Sequence, residues 1–122
     1  MHPADQIPQP FTVHLEQRGP LARLFLTGEL DDATTPILER SLREIERDPT
    51  TGLIIDLSGL TFLDSSGLLL LLRASERAGQ AGRAFGIVDP RPNVRRILRV
   101  TGTTHLLEAL PPMRLDELTS LI

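Results

Sequence analysis

The chain contains no cysteine, no lysine, no tryptophan and no tyrosine among its 122 residues. The absence of cysteine excludes disulfide bonds and cysteine-based zinc sites. The longest uninterrupted apolar run is Leu68–Leu72, far short of the roughly 20 residues that a helix needs to cross a bilayer. The chain has 13 arginines and 16 acidic residues, which gives a net charge of −3. An acidic chain of this kind gives no electrostatic reason to expect binding to nucleic acid.

The length predicts one domain with one hydrophobic core. The first ten residues, Met1–Pro10, contain three prolines, and we expect them to form a flexible lead-in to a single domain at residues 11–122. They have neither the basic stretch nor the apolar stretch of a secretion signal. We therefore expect a cytoplasmic protein that does not contact the membrane.

The beginning of this domain is predicted to be an antiparallel β-hairpin. Apolar and polar residues alternate over Phe11–Glu16, which is typical of a half-buried strand. A turn at Gln17–Pro20 leads to a second strand, Leu21–Thr27, and we expect Gly28 to end it.

Apolar runs bounded by turn residues predict three further strands. These are Leu53–Leu57, Ala84–Val88 and a short strand at Leu106–Leu110. The first of them is apolar almost throughout, which is typical of a central strand that is buried on both faces.

Apolar residues at helical spacing predict four helices between and after these strands. Their predicted limits are Thr35 as N-cap with Pro36 as first residue, Ser66 to Gly79, Val94 to Gly102, and Leu115–Ile122. Alternation of strands and helices implies βαβ units, and hence an α/β fold. The sheet is expected to be mixed, with about four to five strands that are mostly parallel behind the hairpin.

The most informative segment is Asp64-Ser65-Ser66-Gly67, which connects a buried strand to a helix. The N-terminal end of a helix has unpaired N–H groups and partial positive charge, so a serine there can accept a phosphate without unfolding the helix. On the residues alone, helix capping by these serines is the simpler interpretation. Asp64 either caps the helix or orients Ser65, and Gly67 permits close approach of the loop or of a partner.

Three motifs resemble the STAS domain and, more narrowly, the bacterial anti-sigma factor antagonists. They are TGELD at residues 27–31, DLS at 56–58 and FLDSSGL at 62–68. The similarity extends from about residue 11 to residue 121. It implies one STAS domain at residues 11–122, with a small sheet and about four helices packed mainly on one side.

The resemblance implies a partner-switching function. In this family, an anti-sigma factor with a histidine-kinase-like ATPase fold phosphorylates the first serine of the DSSG motif, which is Ser65 here. The unphosphorylated antagonist binds the anti-sigma factor and frees the sigma factor, whereas the phosphorylated form does not bind until a PP2C-type phosphatase resets it. The residues expected to bind the partner are Asp31, Asp64, Ser65, Ser66, Gly67 and Leu68. No enzymatic activity, catalytic residue, cofactor or metal is expected.

Two alternatives are compatible with the same residues. One is a STAS interaction subunit that works without phosphorylation in a signalling or lipid-transport assembly. The other is a serine hydrolase with Ser65 as nucleophile. The hydrolase would need a base such as His105, and the G-x-S-x-G pattern lacks its first glycine here. A phosphorylation switch is therefore preferred.

An arginine-rich stretch follows the predicted strand Ala84–Val88. Arg91, Arg95 and Arg99 are spaced so that they share one helix face, with Arg96 adjacent. This face is either solvated or meets an acidic partner surface. Since no aromatic residue interleaves with the arginines, we expect no nucleic-acid partner. An exposed first strand would allow a weak homodimer, so we expect a monomer or a weak homodimer.

Overall fold

The computed structural model describes residues 10–107, which form a four-stranded mixed sheet with helices packed against it. The predicted lead-in up to residue 9 and the predicted helix Leu115–Ile122 lie outside the described residues. In chain order the elements are β1 (Thr12–Arg18), β2 (Leu21–Leu30), α1 (Thr35–Glu46), β3 (Gly52–Leu63), α2 (Ser65–Gln80), β4 (Phe85–Val88), α3 (Pro92–Val100) and a 3-10 helix (Thr104–Leu107).

The sheet has the spatial order β1-β2-β3-β4. β1 and β2 are antiparallel and form the predicted hairpin, whereas β3 and β4 run parallel to β2. The prediction of a mixed, mostly parallel sheet is therefore confirmed. Within residues 10–107 the sheet has four strands, at the lower end of the expected four to five.

Both central strands are longer than predicted, because each one continues through an irregularity. Gly28 does not end β2 but lies within it at φ +99°, a value that glycine adopts without strain. Opposite β2, β3 contains two extra residues: it advances by three residues from Asp56 to Gly59 where β2 advances by two, and by two from Leu60 to Phe62 where β2 advances by one. Such bulges shift the inward-facing positions, and the apolar run from which β3 was predicted ends at Leu57.

One hydrophobic cluster lies between the sheet and the helices. The strands contribute alternate residues such as Leu24, Leu26 and Ile55, all of which are fully buried. α1 contributes Leu38 and Leu42, and α2, α3 and the 3-10 helix add residues to the same cluster. The described helices therefore share one core on one face of the sheet. Within residues 10–107, no helix has the length and hydrophobicity needed to span a bilayer.

The prediction of a strand at Leu106–Leu110 is wrong for its first two residues, which belong to the 3-10 helix; residues 108–110 lie outside the described part. Gly102 has φ +72° and ends α3 as predicted, and the N–H of Thr103 donates to the carbonyl of Leu98 at 2.8 Å. The chain turns back here, and the N–H of Leu106 bonds to the carbonyl of Thr103 at 3.1 Å. This compact turn brings Leu106 into the core without a strand.

On the opposite face of the sheet, an ion pair connects β2 to β3. A carboxylate oxygen of Asp56 lies 2.6 Å from Nη2 of Arg23, and the other accepts a hydrogen bond from the N–H of Ser58 at 2.8 Å. Burial alone would raise the pKa of Asp56, but the hydrogen bonds from Ser58 and Arg23 outweigh it and keep this pKa below its ordinary value. Asp56 is thus a buried carboxylate stabilised in its charged form.

Candidate functional site

The candidate site lies at the carboxyl ends of β2 and β3. These strands are parallel, and their last paired positions are Leu30 and Leu63. The N–H of Asp64 donates a hydrogen bond to the carbonyl of Leu30 at 3.2 Å. Asp31 and Asp64, the residues that follow these positions, therefore leave the sheet side by side, as expected for the ends of neighbouring parallel strands.

Asp64 is the N-cap of α2. Its carboxylate accepts a hydrogen bond from the N–H of Gly67 at 2.9 Å, and its carbonyl accepts the first helical bond from Leu68 at 2.9 Å. The alternatives left open by the sequence are thereby separated, because Asp64 caps the helix and the two serines do not. Its negative charge also complements the positive end of the helix.

Ser65 and Ser66 are consequently the first two residues of α2, so the helix begins one residue earlier than predicted. Ser65 is exposed and Ser66 is partly exposed. In the part of the chain that the structure describes, no group forms a hydrogen bond with the Ser65 hydroxyl. Ser65 is thus presented to solvent beside unpaired N–H groups of the helix.

Gly67 and Leu68 lie beneath this surface. A Cβ atom at Gly67 would come within 2.7 Å of a Leu63 methyl carbon and 2.8 Å of Leu30 Cγ, so glycine lets α2 pack directly on the ends of β2 and β3. The close approach expected of Gly67 is therefore to these two strand ends. Leu68 is buried in the core. The packing of these two residues fixes the start of α2, and with it Ser65, relative to the ends of β2 and β3.

Asp31 is engaged in the turn that leads into α1. Its Oδ1 accepts hydrogen bonds from the N–H groups of Ala33 and Thr34, at 3.0 and 3.1 Å. α1 then begins at Thr35 rather than Pro36, with Thr34 preceding it. The strand register thus places Asp31 beside Asp64, while its hydrogen bonds lie within its own turn and not with Ser65.

A surface trough of about 530 Å³ lies between α1 and α2 and begins beside the site. We call it the α1–α2 trough. Its lining residues are Asp32, Thr35, Glu39, Arg43 and Glu46 on one side, and Ser66, Leu69, Leu70, Arg73 and Arg77 on the other. Sequence reasoning did not find it, because it is formed by two helices that are far apart in the chain.

Two large apolar side chains near Ser65 are exposed, and sequence reasoning also missed them. Phe62 precedes the site and is 43% exposed, and Leu69 follows it by one turn and is 46% exposed. Leu69 could have been found, because helical spacing places it on the face of Arg73 rather than with the buried Leu68 and Leu71. For Phe62, the bulge in β3 hides the pattern.

One of the four arginines on this face of α3 is bonded within the protein, and the other three are open to a partner. Arg91 donates from Nε to the carbonyl of Ser58 at 2.9 Å, and Asn93 donates to the carbonyl of Thr61 at 2.9 Å. These bonds attach the start of α3 to the edge of β3, beyond the end of β4. The remaining arginines, Arg95, Arg96 and Arg99, are exposed and form no ion pair within residues 10–107.

The described residues contain no cluster of three histidine or acidic side chains that could hold a metal ion. His105 lies in the 3-10 helix after α3, and within residues 10–107 neither histidine forms a hydrogen bond with Ser65. Residues 10–107 therefore contain no hydrogen-bonded pair of Ser65 and a histidine, the nucleophile–base arrangement that a serine hydrolase requires.

Comparison with known proteins agrees with this arrangement. The model of the STAS domain family matches residues 12–117. The anti-sigma-F factor antagonist RsfB of Mycobacterium tuberculosis is 37% identical over 95 residues, which cover 78% of this chain and 77% of RsfB. A crystal structure of an anti-sigma factor antagonist from Mycobacterium paratuberculosis superposes with a TM-score of 0.74 at 32% identity, covering 92% of this chain and 94% of that one.

The Bacillus protein SpoIIAA shares the fold at lower identity. Its phosphorylated form gives a TM-score of 0.64 at 20% identity and covers 91% of this chain and 97% of its own. Its unphosphorylated form gives 0.68 at 23%, with coverage of 93% and 99%. From the family match, the RsfB similarity and the common fold, the chain belongs to the STAS domain family, among the bacterial anti-sigma factor antagonists.

Proposed function

We propose that this protein is an anti-sigma factor antagonist controlled by phosphorylation of Ser65. In its unphosphorylated form it binds an anti-sigma factor with a histidine-kinase-like ATPase fold, which then releases its sigma factor. This partner phosphorylates Ser65 and thereby ends the complex, and a PP2C-type phosphatase restores the binding form. The protein is a binding partner and kinase substrate in this scheme, not an enzyme, and it needs no cofactor.

The observation that carries the proposal is the position of Ser65. It is the exposed first residue of a helix that is already capped by Asp64. A phosphoserine adds a charge of about −1.5 to −2, which the positive helix end favours by about 0.3–1 kcal/mol. Because the hydroxyl has no bond to lose within the described residues, the fold is expected to tolerate the modification.

The same charge opposes binding. A partner that packs over the start of α2 must remove water from the phosphate, which costs several kcal/mol unless the ion is paired. Asp31 and Asp64, which leave the sheet side by side, and the exposed Asp32 make the surroundings acidic and add to the penalty. The modification therefore acts as a local change of charge with binding as its readout.

The expected partner-binding residues divide by depth. Ser65 is exposed, and Asp31, Asp64 and Ser66 are partly exposed, so their side chains can reach a partner. Gly67 and Leu68 are buried, and we assign them the role of positioning α2. Exposed Phe62 joins the contact surface, since aromatic side chains, phenylalanine among them, are enriched at protein interfaces.

Phosphopeptide mapping tests the site of modification. The purified protein and its Ser65→Ala variant are incubated with ATP and a lysate of the host, and intact mass and phosphopeptides are measured. One phosphate on Ser65 that is absent from the variant supports the proposal, and phosphate on Ser66 moves the site by one residue. No phosphate, in a lysate with demonstrated kinase activity, favours the phosphorylation-independent interaction subunit.

Ester hydrolysis provides a separate test of the hydrolase alternative. The protein and the Ser65→Ala variant are assayed with a generic activated ester. We expect no turnover above background. Activity that the substitution abolishes would contradict the proposed function.

A further inference from the structure

We propose that the α1–α2 trough is the second part of the docking surface, and that it receives a helix of the anti-sigma factor whose acidic side chain pairs with Arg73. This inference rests on the proposed function, because it extends the surface around Ser65. The trough begins at Ser66 and Asp32, which adjoin Ser65 and Asp31 in the chain. A partner that covers Ser65 therefore meets the open end of the trough.

The α2 side of the trough is one continuous helix face. Ser66, Leu69, Arg73 and Arg77 follow one another at spacings of three or four residues, so they lie in line along the helix. The twelve residues from Ser66 to Arg77 span about 16 Å, which equals about three helical turns. At the far end, Nε of Arg77 lies 2.9 Å from a carboxylate oxygen of Glu46 on α1, and this bridge closes the trough.

Some charged side chains of the trough form ion pairs within the described residues, and others do not. Arg77 pairs with Glu46, and Arg43 lies 3.6 Å from Glu39. Arg73 is exposed and has no carboxylate within 4.0 Å among residues 10–107, and the same residues hold no ion pair for Asp32. One unmatched positive charge thus lies midway along the trough, and one unmatched negative charge lies at its open end.

This pattern specifies the chemistry of the occupant. Two helices form the walls, and their backbone groups are already bonded within each helix, so a partner strand finds no edge to extend. A helix, by contrast, offers side chains in both directions across the trough. The occupant is expected to place a carboxylate at Arg73, an apolar side chain at exposed Leu69, and a basic side chain near Asp32. Complementary charges of this kind set orientation and partner choice.

Binding measurements with a charge-reversed trough test the inference. Dissociation constants are measured by calorimetry for the host's anti-sigma factor kinase and the unmodified protein, Arg73→Glu, and Arg40→Glu. Arg40 is a matched control, because it is an exposed arginine of α1 that does not line the trough. We expect Arg73→Glu to weaken binding at least tenfold, Arg40→Glu to change it less than twofold, and Arg73→Lys to retain most of the affinity.

The outcomes separate this inference from the proposed function. If phosphorylation of Ser65 prevents binding but Arg73→Glu binds like the wild type, the switch stands and the trough assignment is wrong. Equal losses for Arg73→Glu and Arg40→Glu would indicate a general charge effect and would also overturn it. If the unmodified protein binds no such kinase, both proposals fail together.

Sedimentation of the protein alone examines a different occupant, a second copy of this chain. We expect the same sedimentation for wild type and Arg73→Glu at the concentrations used for binding. A wild-type dimer that Arg73→Glu dissociates would assign the trough to self-association and overturn its assignment to the anti-sigma factor.

Discussion

At the scale of single residues, Asp64 and Ser65 have separate tasks although they are neighbours. The carboxylate of Asp64 satisfies the helix start, which leaves the hydroxyl of Ser65 exposed and available. If Ser65 itself were the cap, phosphorylation would remove a stabilising bond from the helix. The sequence identified both residues but could not show which of them caps the helix, because aspartate and serine are equally good caps.

The cap can be tested by substitution. Asp64→Ala is expected to lower the free energy of unfolding by about 1 kcal/mol, because the N–H of Gly67 loses its acceptor. Asp64→Ser should retain most of the stability, since serine also caps. Urea denaturation measures both, with the neighbouring exposed Asp32→Ala as control. Equal stabilities of Asp64→Ala and the wild type would show that the cap contributes nothing.

The buried carboxylate of Asp56 predicts a dependence on pH. Asp56→Asn is expected to lower the free energy of unfolding by about 1.5–3 kcal/mol at pH 7, because Arg23 loses its nearer carboxylate and keeps only Asp89, at 3.7 Å. Since the folded-state pKa of Asp56 lies below the ordinary value of 3.8, its contribution is complete above that pH and is lost as pH falls through the folded-state pKa.

The difference between Asp56→Asn and the wild type should therefore be constant from about pH 7 to pH 5 and shrink below about pH 4. Unfolding in urea at a series of pH values measures it. The exposed Glu16→Gln serves as control and should differ little from the wild type throughout. A difference for Asp56→Asn that persisted unchanged to pH 2 would contradict the assigned pKa direction.

At the scale of elements, α2 is positioned by its contact with the ends of β2 and β3. Gly67→Ala is expected to destabilise the protein by about 1–3 kcal/mol, because the new methyl group would overlap Leu30 and Leu63. Gly79→Ala in the same helix is the matched control. No atom lies within 4 Å of its added Cβ, so it should stabilise by about 0.4–1 kcal/mol.

Thermal and urea unfolding of these two variants measure the contrast. We expect the two substitutions to change the free energy of unfolding in opposite directions, although both replace glycine by alanine in the same helix. Stabilisation by Gly67→Ala would show that α2 is not packed closely on the strand ends.

The elements themselves were largely predictable from the sequence. Periodicity and turn residues located the hairpin, three helices and the strand Phe85–Val88 to within a few residues. β3 was predicted only to Leu57, because the apolar run on which the prediction depended ends there, while the strand continues through two bulges. Likewise, Gly28 and Leu106 were assigned from local residue types, while contacts across the fold decide their conformation.

Only part of the candidate site could be predicted from the sequence. The family motif pointed to the DSSG segment and to Asp31 at the ends of neighbouring parallel strands, and β2 and β3 do end side by side. The α1–α2 trough and exposed Phe62 did not follow, because both depend on how separate elements pack. Local patterns reveal what a segment forms, but not which side chains packing leaves uncovered.

At the scale of the whole molecule, the proposed switch places a change of charge on the surface of a packed core. The parallel strands, the cap and the close packing at Gly67 fix the position of Ser65, so the proposed phosphate would be added to a preformed surface. The central claim is therefore that phosphorylation changes binding and leaves the fold intact.

The most direct measurement compares the affinity of the host's anti-sigma factor kinase for two forms of the protein, unmodified and with phosphoserine incorporated genetically at position 65. We expect roughly thousandfold weaker binding for the phosphorylated form, which corresponds to a penalty of about 4 kcal/mol. We also expect its free energy of unfolding to lie within about 1 kcal/mol of that of the unmodified form. Equal affinities of the two forms, or loss of affinity through unfolding, would contradict the proposed switch.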